Sequence, residues 1–383
     1  MGREELLQRI SREISRLPTR GTQACFIQAN YGEGKTHLLH AVWDLAERAN
    51  CVVSFIILSQ ETPFDKLHQV YPKLIANTYL PRSTQPGIEQ LLMNIHPGSN
   101  LARDLMTLAQ EELHPRLNLI LRNWFSGHNV AFQDNLVRDL SGDLLNTQEL
   151  KAIHRLNFGE GAFIGGFSKT RDIWDYYRLI DTLVTLRQYQ GWVILFDEAE
   201  LIGRLSLGSR AKAYANIARF LSPSGGLNQT FSVFAFASSF YSDVLGYRND
   251  IEQAAAWLEL RGQEEDAQAV RDVEKAIRKA EVLPSLNEDQ LHRVMEQLVR
   301  AHAEAYSWVP QISPYGLLQR VMNVLPHPDT KLRTRVRAAI HWLDHLFQYG
   351  QDPQLAFSEL SEDNLMKEQT QDLEDDVAVT QED

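Results

Sequence analysis

The residues Ala29-Asn30-Tyr31-Gly32-Glu33-Gly34-Lys35-Thr36 follow directly on the apolar run Ala24-Cys25-Phe26-Ile27. This order predicts a strand, a glycine-bearing loop over Asn30–Gly34, and a helix that begins near Lys35. A loop of that kind cradles a nucleoside triphosphate, because backbone N–H groups and a helix N-terminus face the phosphates. Lys35 is then predicted to reach the β- and γ-phosphates, and the Thr36 hydroxyl to ligate Mg²⁺. The segment departs from G-x-x-x-x-G-K-[ST] at its first position, where Ala29 replaces glycine. Alanine suffices there if its φ stays negative, since glycine matters most where φ must be positive.

A second segment supplies carboxylates. Trp192-Val193-Ile194-Leu195-Phe196 runs without polar alternation into Asp197 and Glu198. Such a run predicts a strand buried on both faces of a parallel sheet. Asp197 is predicted to hold the Mg²⁺ shell at the adjacent sheet edge, opposite the loop. Glu198 is placed to orient or deprotonate the attacking water. The plainer reading is a strand that ends in a solvated acidic turn. The two segments account for each other, because a Mg²⁺·ATP site needs both a phosphate cradle and a carboxylate.

The elements around these residues read as α/β. A strand over 23–28 and a helix to 49 precede a second buried strand over 51–58, and Pro63 opens a further helix, giving the βαβ pattern of a parallel sheet. Residues 76–160 show helical spacing with no clear strand, a helical insertion. The glycines between Gly159 and Gly166 mark a loop or hinge, and Ser168 caps a helix from Arg171 to Gln190. A helix over 209–221 leads to another buried run, 230–239, which ends in Ser238 and Ser239. In AAA+-type ATPases the strand after the acidic one ends in a polar sensor near the γ-phosphate, a place that Ser238 or Ser239 fills; a serine there also serves simply as a turn former. From 247 to 349 the chain reads as helical, and the charges of 264–281 suit a solvated face. On a helix over 331–344, Arg333 and Arg337 share one face, and Lys331 and Arg335 another. A sensor arginine reaching ATP from a lid, a phosphate-contacting face toward DNA, and plain solvated charge all fit that pattern.

The chain has 383 residues, 44% hydrophobic and 23% charged, as ordinary globular proteins do. No apolar run is long enough to span a membrane, and the charged, amphipathic start is not a signal peptide. Cys25 and Cys51 fall in predicted buried strands, as small core hydrophobes of a reducing cytoplasm. No Cys/His spacing suggests zinc. The net charge of −12 is mostly local: residues 351–383 carry −10, which leaves −2 for everything before them. That acidic stretch is predicted to be disordered. Near-neutrality elsewhere neither supports nor excludes a nucleic-acid face.

Asn30-Tyr31-Gly32-Glu33-Gly34-Lys35-Thr36-His37-Leu38-Leu39 resembles the Y-G-x-G-K-[ST]-H-x-L loop of the BREX-type ATP-binding proteins, the BrxC/BrxD-like P-loop group. Thr62-Pro63-Phe64-Asp65-Lys66 is also similar to that group, as is Gly191 to Leu201, which matches its G-h-h-h-h-h-D-E-h-E segment. The stretch 329–344, ending in Trp342-Leu343-Asp344, looks like its arginine-bearing C-terminal helix, although Lys331 precedes Leu332-Arg333 where a proline is expected. The resemblance implies an AAA+-like P-loop NTPase: a parallel sheet flanked by helices, a helical insertion at about 76–165, and a C-terminal helical lid. The expected organisation is an ATPase domain over 1–246, a helical domain over 247–350, and the acidic tail over 351–383. It implies ATP and Mg²⁺ as cofactors. Asn30, Tyr31, Gly32, Glu33, Gly34, Lys35, Thr36, His37, Ser239 and Arg333 would touch the nucleotide; Thr36 and Asp197 would hold the metal. Lys35, Asp197 and Glu198 would act in catalysis.

The function implied is a cytoplasmic ATPase subunit of bacterial anti-phage defence, working beside a helicase, nuclease or methyltransferase. Double-stranded DNA and further copies of the chain are the other expected partners. Such sites often need an arginine from a neighbouring subunit; Arg204, Arg210, Arg219 and Arg248 are the candidates, and a surface role is the plainer reading of each. Little hydrolysis is therefore expected of the isolated chain. The alternative is a nucleotide-gated DNA-binding or scaffold switch with little turnover, in which ATP stabilises one lid position. A loader of the origin-binding type would need a β-wing hairpin, which 285–349 do not offer.

Overall fold

A computed structural model describes residues 3–126, 132–327 and 330–350. The acidic stretch 351–383, expected to be disordered, lies outside the described residues. The chain divides into two compact units. One, the sheet unit, comprises Glu5–Ala29 and Lys35–Val282. The other, the helical unit, comprises Arg3 and Glu4, Asn30–Gly34, and the described residues from Leu283 onward.

The sheet unit is built on six strands: β1 (Gln23–Ala29), β2 (Val52–Ile57), β3 (Thr78–Tyr79), β4 (Trp192–Asp197), β5 (Thr230–Ala237) and β6 (Glu281–Val282). Their spatial order is β3-β2-β4-β5-β1-β6. The pairs β2–β4, β4–β5, β5–β1 and β1–β6 are parallel, and only β3 runs antiparallel. β4 and β5 are buried along their whole length, as continuous apolar runs in a covered parallel sheet should be. Trp192 of β4 donates its indole N–H to Ser54 Oγ of β2 at 2.8 Å, and Ser54 shares a 2.7 Å hydrogen bond with Thr78 of β3.

Two strands lie where helix or insertion was expected. β3 sits at the start of the insertion and β6 at the end of the charged helical stretch. With two residues each, neither is long enough to show an alternating pattern. The helix expected over 171–190 is interrupted at Ile173, forming Lys169–Asp172 and Trp174–Leu186. The Ser168 N–H donates to Asp172 Oδ2 at 2.7 Å, so here the side chain caps the backbone.

The helix Lys35–Arg48 buries Leu38, Leu39, Val42 and Ala46, the spacing of one helical face. Phe64, Phe196, Phe220 and Phe234 interlock in one aromatic cluster, with Phe196 and Phe234 stacked at 4.6 Å between ring centroids. Helices Leu207–Ala218, Asp250–Glu259 and Glu264–Ile277 pack on one another within this unit.

The helical unit contains helices Glu288–Tyr306, Pro314–Val324 and Leu332–Tyr349. They close around Leu291, Met295, Leu317, Val321, Ala338 and Leu343. Asn287 and Gln290 cap the first helix reciprocally, both hydrogen bonds being 2.9 Å. Among the described residues no helix is long and apolar enough to cross a membrane.

Candidate functional site

The site is best followed from the ends of the strands. Ala29 is the last residue of β1, in extended backbone, so its Cβ meets no left-handed penalty. Gly32 and Gly34 have φ of +80° and +88°, a conformation that L side chains rarely adopt. Glycine is thus required at those two positions of the loop and dispensable at position 29.

Asp197 stands at the end of β4, which is not the direct neighbour of β1. β5 lies between them, with Ala237 opposite Ala29 and Phe234 opposite Phe196. Two strand spacings, about 10 Å, separate the two strand ends. The first turn of the helix after the loop spans that gap. Thr36 Oγ1 donates to Asp197 Oδ2 at 2.6 Å, the short distance of a charge-assisted hydrogen bond. The other oxygen, Oδ1, accepts the Glu198 N–H at 2.9 Å. Asp197 is buried while Thr36 is exposed, so solvent reaches the hydroxyl side of the pair.

Lys35 is the first residue of the same helix and is almost fully buried. Its ammonium lies 3.7 Å from Glu200 Oε1. Glu198 carries φ +56° and ψ +34°, a left-handed conformation uncommon for a residue with a side chain, and it starts the 3₁₀ helix Ala199–Arg204 that presents Glu200. Burial, then the charges of Glu200 and Asp197, push the Glu198 carboxyl up to about 7, against the pull of Lys35. Lys35, Thr36, Asp197, Glu198 and Glu200 therefore form one cluster in the sheet unit. Sequence reasoning gave Glu200 no role. Its signal was a third carboxylate, two residues beyond Glu198.

In the helical unit, Arg333 meets the loop. Its backbone N–H donates to Gly32 O at 3.1 Å, and its guanidinium donates to the Tyr31 hydroxyl at 2.8 Å. Arg333 and Arg337 are exposed, whereas Arg335 is buried on the other side of the helix and donates to His327 O at 3.0 Å. Glu33 is buried; its carboxylate accepts from Ser285 Oγ at 3.4 Å, and its N–H donates to Asn30 O at 3.2 Å.

Three expected residues are placed without a role evident from contacts. Asn30 and His37 are exposed. Ser239 is exposed just beyond β5, its carbonyl accepting from Ser242 Oγ at 3.2 Å. Three of the four candidate arginines are held inside the sheet unit: Arg210 pairs with Asp250 at 2.7 Å, Arg219 lies over the Trp174 ring, and Arg248 donates to Gly203 O. Arg204 is exposed.

Among the described residues no group of three or more His, Cys, Asp or Glu side chains forms a metal cage. The Thr36–Asp197 pair offers something different, a hydroxyl and a carboxylate oxygen side by side. These are hard donors of the kind Mg²⁺ uses when substrate phosphates and waters complete its shell. The family model for the BREX system ATP-binding protein BrxC/D matches residues 1–97 and 98–365 of the chain. No curated protein matches it.

Proposed function

The chain belongs to the family of BREX system ATP-binding proteins BrxC/D, and from that footing we propose that it hydrolyses ATP at the site named above. The family description makes it an ATP-binding subunit of the BREX phage-defence system. The observation that carries the finer reading is the Thr36–Asp197 hydrogen bond of 2.6 Å, made across an intervening strand by residues far apart in sequence.

In this reading the N–H groups of Asn30–Gly34 and the start of the helix Lys35–Arg48 receive the phosphates. Lys35 neutralises charge on the β/γ region, and Tyr31 and Arg333 are assigned to the nucleotide as well. Thr36 and Asp197 would hold Mg²⁺, which would supply positive charge to offset the charge developing on the phosphates. Glu198 orients the attacking water and takes its proton. Ser239 is assigned a sensor role from its place after β5. Phosphoryl transfer asks mainly for positioning and charge stabilisation, so these residues suffice once a partner completes the site. We assign the energy of hydrolysis to a change in a DNA-bound or partner-bound state.

The test is ATP hydrolysis by the wild type, Lys35→Ala and Glu198→Gln, with and without double-stranded DNA. Glu198→Gln is expected to lose about 100-fold or more in turnover while still binding ATP. Lys35→Ala is expected to lose binding as well. Hydrolysis by Lys35→Ala at the wild-type rate would overturn the assignment. Lys35-dependent binding with no turnover under any condition would instead make the protein a nucleotide-gated switch.

A further inference from the structure

Glu200 Oε1 pairs with the Lys35 ammonium at 3.7 Å. Its second oxygen, Oε2, is buried and has no hydrogen-bond partner, and the same is true of the Tyr241 hydroxyl. The two groups are complementary, since an ionised carboxylate only accepts and a phenol donates. They sit on elements that pack together. The 3₁₀ helix Ala199–Arg204 lies against the π-helical segment Phe240–Tyr247, closely enough that a Cβ on Gly203 would come within 2.8 Å of Val244. Their fields overlap as well: burial, then the Cys25 and Glu200 side chains, push the Tyr241 phenol upward.

The Lys35 contact is itself incomplete. At 3.7 Å it is an ion pair and longer than a direct hydrogen bond. Glu200 is half-buried and shares a side-chain hydrogen bond with Glu198, yet its Oε2 still lacks a donor and its ion pair with Lys35 is long. A change of rotamer is the least motion that completes one of them.

We propose that Glu200 is a positioning residue that exchanges partners, holding the Lys35 ammonium before nucleotide enters and the Tyr241 hydroxyl afterwards. The proposal deepens the function above and rests on the assignment of Lys35 to the phosphates. Triphosphate draws the ammonium away from Glu200. The half-buried carboxylate, parted from that counter-ion, then gains the phenol as its donor. Tyr241 lies directly after β5, so occupancy of the site is registered in the segment Phe240–Tyr247. Nucleotide must compete with Glu200 for Lys35, and Tyr241 offsets part of that competition. The observed affinity is set by this difference between the two states.

The experiment measures the Kd of the full chain for Mg²⁺ and a non-hydrolysable ATP analogue, with thermal melts to confirm folding. Glu200→Gln is expected to tighten binding about fivefold, because the charge of Glu200 no longer competes with the nucleotide for Lys35. Tyr241→Phe is expected to weaken binding about threefold, because the released carboxylate finds no donor. Opposite signs are the signature, since a merely structural role would move both variants in the same direction. Unchanged or weaker binding by Glu200→Gln, or unchanged or tighter binding by Tyr241→Phe, overturns the exchange. If Glu200→Gln does not fold, Glu200→Asp is read in its place: the shorter arm reaches Lys35 poorly, and binding that fails to tighten overturns the proposal. Lys35→Ala separates the two levels. Wild-type affinity in that variant removes the phosphate assignment itself, whereas lost affinity there with no gain in Glu200→Gln removes only the exchange.

Discussion

A hydroxyl and a carboxylate decide most of what the site can do. Thr36 and Asp197 hold each other at 2.6 Å, and Asp197 is nearly inaccessible to solvent. Thr36→Ala deletes a hydrogen bond to a buried charge, a loss of about 1.5–3 kcal/mol. Thr36→Ala is therefore expected to lower the melting temperature of the nucleotide-free protein and to abolish Mg²⁺-dependent hydrolysis. Thr36→Ser, which keeps the oxygen, should restore both; a serine variant as defective as the alanine one would count against the oxygen's role. Glu198 supplies a second residue-level outcome. Its carboxyl is raised from 4.5 to about 7, so the folded chain holds that proton more tightly than the unfolded one. The resulting stabilisation is complete below pH 4.5 and disappears as pH rises through about 7. In protein free of nucleotide and metal, melting curves recorded across this range should fall for the wild type relative to Glu198→Gln. Parallel curves would contradict the shift. Lys35, Thr36, Asp197 and Glu198 were all legible in the sequence, because each lies beside its own strand in an ordered local pattern. Glu200 was not, because its meaning depends on Lys35, which no local pattern connects to it.

The elements explain why those residues meet at all. Both long buried strands, β4 and β5, were visible as apolar runs, and the helix after the loop showed itself in its spacing. The insertion of β5 between β1 and β4 was not visible, since strand order is a long-range property and single runs carry no record of their neighbours. The two-residue strands β3 and β6 escaped for the opposite reason, being too short for any period to register. What holds the central order is aromatic packing: Phe234 of β5 stacks on Phe196 of β4 at 4.6 Å and on Phe26 of β1 at 5.4 Å. Phe234→Ala empties the contact that all three strands share. It is expected to cost about 3–5 kcal/mol in chemical denaturation. A loss below 1 kcal/mol would mean that the ladder hydrogen bonds alone fix the order.

At the scale of the molecule, the question is what completes the site. Arg210, Arg219 and Arg248 are engaged within the sheet unit, which leaves Arg204 as the exposed candidate for reaching a neighbouring copy. If copies complete one another, specific ATPase activity rises with protein concentration, and Arg204→Ala flattens that rise without changing the affinity for a non-hydrolysable analogue. Activity independent of concentration in both proteins would direct the search to a different subunit or to DNA. The strong negative charge does not bear on this choice, since nearly all of it belongs to residues 351–383.

β5 has every one of its eight residues buried and is flanked on both sides by parallel partners. Amide protons deep in such a strand exchange with deuterium only when the sheet itself comes apart, whereas those of β3 and β6 at the margins are released by small local openings. The strand that separates Ala29 from Asp197 is therefore also the last to let them part. Mild heating or denaturant should fray the sheet from its rims inward, with the spacing between the ends of β1 and β4 surviving until the unit melts as a whole.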